Sequence, residues 1–119
     1  MVWLVEHTDE FEDWFASLTE TEREDVYASG LLLEERGPSL RHPMSSGISG
    51  SRHSHMRELR IQSGGRPIRI FYAFDPRRAA ILLIGGDKTG DDRFYERMTP
   101  IADDLYDTHL ATLRQEKLI

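Results

Sequence analysis

The chain has 119 residues, 39% hydrophobic and 30% charged, which is enough for one compact domain with a single core and too little for two. It contains no cysteine, so a disulfide scaffold, a thiol nucleophile and every cysteine-containing zinc site are excluded. The formal net charge of −6 is unevenly spread: residues 1–37 carry eleven acids against Arg23 and Arg36, whereas residues 38–90 carry nine bases against Glu58, Asp75 and Asp87.

The N-terminal MVWLVEHTDEF turns acidic where a signal peptide would stay apolar, and no apolar run reaches bilayer length, so a cytoplasmic protein without membrane contact is expected. Val2 to Val5 reads as an opening strand. A helix follows, capped by Thr8 or Asp9, with Phe11, Trp14, Phe15 and Leu18 on one stripe. Thr19 and Glu22 have capping-box spacing for a second helix, whose Val26, Tyr27, Leu31 and Leu32 are expected to point one way before Gly37-Pro38 stops it. Residues 37–54, GPSLRHPMSSGISGSRHS, show neither helical nor strand periodicity and read as a long loop.

Met56 to Gln62 alternates, with Leu59 and Ile61 on one side and Met56, Glu58, Arg60 and Gln62 on the other. Ser63-Gly64-Gly65 turns the chain into Ile68 to Phe74, and Asp75-Pro76-Arg77-Arg78 turns it again. Ala79 to Ile84 is uniformly apolar, as in a central strand, and is expected to end at Gly85-Gly86. Phe94, Met98, Ile101, Leu105, Tyr106, His109, Leu110 and Leu113 keep helical spacing, and Thr99-Pro100 suggests a short turn followed by a longer terminal helix. The order β-α-α-β-β-β-α describes an α+β fold, a single domain over residues 1–119 with its helices on one face of a mostly antiparallel sheet.

Three segments, SRHSHMRELR, PIRIFYAFDPRRAAILLIGGDKTGDDRFY and PIADDLYDTHL, resemble the phage-derived, HigB-like branch of the RelE/ParE superfamily of toxins from type II toxin-antitoxin systems. The resemblance covers most of the chain and implies the small RelE-like fold. It also implies a toxin whose activity is endoribonucleolytic cleavage of mRNA, ribosome-dependent, without metal or other cofactor. The implied partners are mRNA, the ribosome and a HigA-like helix-turn-helix antitoxin, through which alone operator DNA would be bound. Two other readings stay open: a ParE-like toxin that inhibits DNA gyrase by binding it, and an RNA-binding module that does not cut.

RNA cleavage without metal needs a base for the 2′-hydroxyl, a cation for the phosphorane charge and an acid for the leaving oxygen. Arg60 and Arg69 project from neighbouring strands and would set two guanidiniums on one phosphate, with Lys88 as a supporting charge. Either arginine could instead be a solvated strand residue paired with Glu58 or a helix acid. His53 and His55, two residues apart before the strand, are candidate acid or base. Tyr95 is a second candidate for proton transfer or base stacking, although its spacing also fits a core stripe. Arg52, Arg57 and Arg66 are expected to bind RNA along the same basic segment. His42 with the His53/His55 pair is too weak a pattern for a metal site, His109 reads as a packed, hydrogen-bonded residue, and Gly85 to Gly90 places its lysine too early for a Walker loop.

Overall fold

The computed structural model describes residues 2–119. Its first strand, β1, is Val5–His7 rather than Val2 to Val5. The reason is the Trp3 amide, which donates to the Glu34 carbonyl in the next helix pair and so leaves the sheet ladder. Thr8 then caps α1 (Asp9–Ala16), its Oγ1 accepting from the Phe11 amide at 2.9 Å. Thr19 and Glu22 close a reciprocal capping box at the start of α2 (Glu20–Arg36). The expected row on α2 is divided: Val26 and Leu33, two turns apart, enter the core, while Tyr27 and Leu31 are exposed on the helix flank.

The stretch expected to be wholly loop contains a 3₁₀ turn (Gly37–Ser39) and a short edge strand, β2 (Ser45–Gly47), paired antiparallel to the next strand. A Ser-Ser-Gly strand has no apolar alternation to announce it. β3 (Arg57–Ser63) and β4 (Arg66–Phe74) form the expected hairpin, and β5 (Ala80–Asp87) returns beside β4. The sheet order is β1-β5-β4-β3-β2, with β1 parallel to β5 and all other pairs antiparallel.

β5 does not stop at its glycines but runs through them. A Cβ on Gly85 would lie 2.4 Å from the Trp14 ring, and one on Gly86 would lie 2.8 Å from Phe94. The glycines therefore admit one aromatic ring on each face of the strand. The last helix, α3 (Phe94–Gln115), is continuous through Pro100. Phe94 and Met98, one turn apart, are both packed near Gly86, which starts the helix five residues before Thr99. The buried Thr99 hydroxyl finds no hydrogen-bond partner among the described residues and caps nothing.

The helices are not all on one face. α1 and α2 cover Leu59, Ile68, Ile70 and Tyr72, while α3 covers Phe71, Ala73, Ile81 and Leu83 on the opposite side. β4 and β5 are apolar on both faces, and each face needs its own cover. Among the described residues, no helix is long and apolar enough to cross a membrane.

Candidate functional site: an arginine cluster on the α3 face

Strand alternation and register bring the first group together. Arg60 of β3 is the direct cross-strand partner of Arg69 of β4, and both point to the α3 side, since their neighbours Leu59, Ile61, Ile68 and Ile70 fill the core beneath α1 and α2. Glu58, two residues before Arg60, shares that side and is 4% exposed. Its Oε2 accepts from Ser46 Oγ at 2.9 Å and from Arg60 Nη1 at 3.3 Å, and its Oε1 accepts from Tyr95 Oη at 2.6 Å. Arg69, 5% exposed, brings its Nε to 3.7 Å from the same Oε1, too far for a hydrogen bond, and that buried N–H has no partner among the described residues. Its Nη1 donates to the Ile68 carbonyl.

Tyr95 sits in the first turn of α3, which the packing of Phe94 against Gly86 places over β4 and β5. Burial, reinforced by the bond to Glu58 and its charge, raises the Tyr95 hydroxyl above the usual tyrosine range, so it remains protonated at neutral pH. Lys88, one residue past β5, holds its ammonium 5.4 Å from the centre of the Tyr95 ring. Three of the expected residues, Arg60, Arg69 and Tyr95, thus meet around a fourth, Glu58, and Lys88 joins them through the Tyr95 ring. The strand ion pair between Arg60 and Glu58 is also present, but the second arginine and the tyrosine share the same carboxylate.

The other expected residues lie elsewhere. His53 Nε2 is 2.7 Å from Asp107, and His55 Nε2 is 3.1 Å from Tyr106 Oη, both on α3 eleven or twelve residues beyond Tyr95, roughly 16 Å along the helix. The single Tyr106 hydroxyl proton goes to the Phe74 carbonyl, so His55 is the donor to Tyr106. Burial, then the neighbouring His53, pushes the His55 pKa down, and Tyr106 is pushed up to about 12 by burial and by Asp75. Asp103 of α3, itself buried, accepts from Ser51 Oγ and the Arg52 amide, and the Arg52 guanidinium bonds Asp104 and Asp107. This is a latch that fastens the loop before β3 to the middle of α3. Arg57 donates to Ser45 on the opposite sheet face, and Arg66 pairs with Asp87 at the hairpin end, so Arg52, Arg57 and Arg66 are not gathered at the cluster.

His109 is hydrogen-bonded as expected, its Nε2 lying 2.9 Å from Asp75. Glu6, Asp75 and His109 bring three ligand-type atoms within 4.8 Å of one another. The Arg77 guanidinium, however, already bonds both carboxylates. A guanidinium in that position answers the negative charge a cation would need, and this donor set suits a structural knot between β1, the Asp75 turn and α3.

Glu58 is the member of the cluster not counted among the expected site residues. Its signal was available in the period-2 pattern, which puts it on one side with Arg60, but its burial and its contact with Tyr95, 37 positions away, arise only from packing.

The family described as phage-derived protein Gp49-like (DUF891) matches residues 13–107. Two curated relatives are the candidate toxins HigB2 and HigB3 of Mycobacterium tuberculosis. HigB2 is 41% identical over 106 residues, covering 87% of this chain and 53% of its own length, so the chain spans about half of that relative. HigB3 is 42% identical over 102 residues, covering 85% of this chain and 88% of its own length. Among solved structures, the E. coli toxin RelE is similar in fold in two forms. An arginine-to-alanine double mutant in the free state superposes with a TM-score of 0.61 at 14% identity, over 85% of this chain and 99% of that one. The isolated toxin gives 0.60 at 14% identity, over 83% and 98%. With a family match running from α1 into α3 and two HigB relatives at 41% and 42% identity, the chain belongs to the phage-derived Gp49-like family, is HigB-like and has the RelE fold.

Proposed function

We propose that the chain is the toxin of a type II toxin-antitoxin pair and a metal-independent endoribonuclease that cuts mRNA on the ribosome. The observation that carries this reading is the cluster itself: Arg60 and Arg69 stand beside one buried carboxylate, which bonds a protonated tyrosine, and Lys88 lies against that tyrosine's ring. Three cations to one anion leave positive charge that a phosphate would neutralise. Arginine stays protonated, so Arg60 and Arg69 act as the clamp and proton transfer falls to the other two groups.

In this assignment a phosphate draws the guanidiniums away from Glu58, which then accepts the 2′-hydroxyl proton as the 2′-oxygen attacks phosphorus. Arg60 and Arg69 stabilise the phosphorane, and Tyr95 gives its proton to the departing 5′-oxygen. The products are a 2′,3′-cyclic phosphate and a 5′-hydroxyl, and the proton returns from Glu58 to Tyr95 across their 2.6 Å contact. His53 and His55 take no part in it. The partners in this reading are mRNA, the ribosome and a HigA-like helix-turn-helix antitoxin that carries the pair to operator DNA; family membership supports them.

The test is induced expression of the wild type and of Arg60→Ala/Arg69→Ala, with primer-extension mapping of mRNA ends in the same cultures. New ends within translated messages for the wild type alone are expected. Growth arrest without new ends would transfer the target to gyrase or another protein, and RNA binding without cleavage or arrest would leave a plain RNA-binding module.

A further inference from the structure

The edge strand β2 is Ser-Ser-Gly and has no apolar side chain to hold it against the sheet. Hydroxyl groups hold it instead, one on each face. Ser45, wholly buried, places its Oγ 2.6 Å from the Tyr72 hydroxyl in the core beneath α1 and α2. Ser46, the next residue, alternates to the α3 face, where its Oγ donates to Glu58 Oε2 at 2.9 Å. Ser46 and Glu58 are direct cross-strand partners, so the strand register itself brings the hydroxyl to the carboxylate.

The groups around Glu58 differ in what they do when a phosphate arrives. Arg60 and Arg69 are cations, and the phosphate competes with the carboxylate for both. Ser46 and Tyr95 are neutral, so their hydroxyls stay with the carboxylate. They reach it from different elements, Tyr95 holding Oε1 at 2.6 Å from α3 and Ser46 holding Oε2 from β2. Once the guanidiniums turn to the phosphate, Ser46 is the donor that Oε2 retains among the described residues. A carboxylate held at one oxygen can still rotate about the bond to its side chain, whereas one held at both oxygens has its plane fixed.

We propose that Ser46 is a positioning residue of the cleavage reaction, holding the Glu58 carboxylate in the orientation from which it takes the 2′-hydroxyl proton. The proposal rests on the endoribonuclease reading with Glu58 as its base. Ser46 acts through Glu58 alone. Misplacing a reacting group by about 1 Å costs about a hundredfold, and a carboxylate that keeps Tyr95 on one oxygen loses less, about tenfold.

The test is cleavage of mRNA on programmed ribosomes by the purified full chain, with kcat and KM determined separately. Ser46→Ala is expected to lower kcat about tenfold with KM unchanged, since the arginines that bind phosphate are intact. Ser46→Thr, which keeps the hydroxyl and suits a strand, is expected to restore kcat. Ser45→Ala, the same truncation one residue away, is expected to lower the melting temperature and leave kcat within about twofold of wild type, because its partner Tyr72 packs on the other face. On a Glu58→Gln background, Ser46→Ala is expected to change kcat by less than about twofold, since two residues that act through one group are not additive. Wild-type kcat in Ser46→Ala, an equal fall in Ser45→Ala, no recovery in Ser46→Thr or an undiminished fall on the Glu58→Gln background would each overturn the role of Ser46 while leaving the nuclease reading standing. Absence of cleavage by the wild type would overturn that reading and the role of Ser46 with it.

Discussion

A single buried carboxylate organises the cluster. Glu58 accepts from Ser46, Arg60 and Tyr95 and stands beside Arg69, so each of these side chains is oriented by the same two oxygens. Removing one donor from a buried acceptor costs more than the hydrogen bond nominally contributes, because the acceptor has already left water. Tyr95→Phe is therefore expected to lower stability by about 1–2 kcal/mol in urea unfolding. If Tyr95 is the proton donor, the same variant lowers mRNA cleavage by about a hundredfold or more. Unchanged cleavage together with reduced stability would restrict the tyrosine to holding Glu58. Arg60 and Arg69 were legible as a pair because alternation assigns each a strand face. Tyr95 was not, because its spacing fits a core stripe as well as a site.

At the scale of elements, α3 is positioned twice. Its first turn is fixed by Phe94 against Gly86, and its middle by the latch in which Asp103, Tyr106 and Asp107 hold residues 51–55. The latch is sensitive to pH through His55. Because its pKa in the fold is held below the unfolded value, by burial first and then by His53, the unfolded chain binds more protons in the window between the two, and stability falls as the pH drops through it. Asp107, whose pKa is lowered by its bonds to Arg52 and His53, loses its contribution only below the ordinary carboxylate range. His55→Gln is expected to flatten the decline of the melting temperature between about pH 7 and pH 5, where an ordinary histidine titrates. An equal decline in wild type and variant would remove His55 from the latch's pH response. The latch residues come from a segment that read only as loop, since polar side chains committed to a helix far along the chain leave no local periodicity.

At the scale of the whole molecule the charge is unevenly spread. The acidic N-terminal third forms α1 and α2 on one side of the sheet, and the arginine cluster opens on the other. A protein of net charge −6 can then meet a polyanion through a small basic area, with few phosphate contacts and a modest salt dependence. For single-stranded RNA, each lost contact reduces the slope of log K against log salt by about 0.7, so Arg60→Ala/Arg69→Ala is expected to make it shallower by about 1.4. Anisotropy titrations of a 2′-O-methyl RNA over a salt series measure this. An unchanged slope would mean that these arginines do not hold phosphate in the complex.

By itself, the amino-acid sequence determined what depends on near neighbours. The Thr8 and Thr19 caps, the hairpin at Ser63-Gly64-Gly65, the alternation in β3 and β4 and the stripe of α3 all arise from residues within a turn or a pleat of one another. Tertiary structure decided what depends on partners far along the chain. It placed α3 on the face opposite α1 and α2, carried β5 through Gly85 and Gly86 to admit Trp14 and Phe94, and continued a helix through Pro100. It also brought Tyr95 to Glu58 and took His53 and His55 to α3 instead of the arginines. The reason is energetic: caps and turns satisfy backbone groups locally, whereas burying both faces of the sheet needs contacts between distant segments, and those contacts choose which side chains share a site.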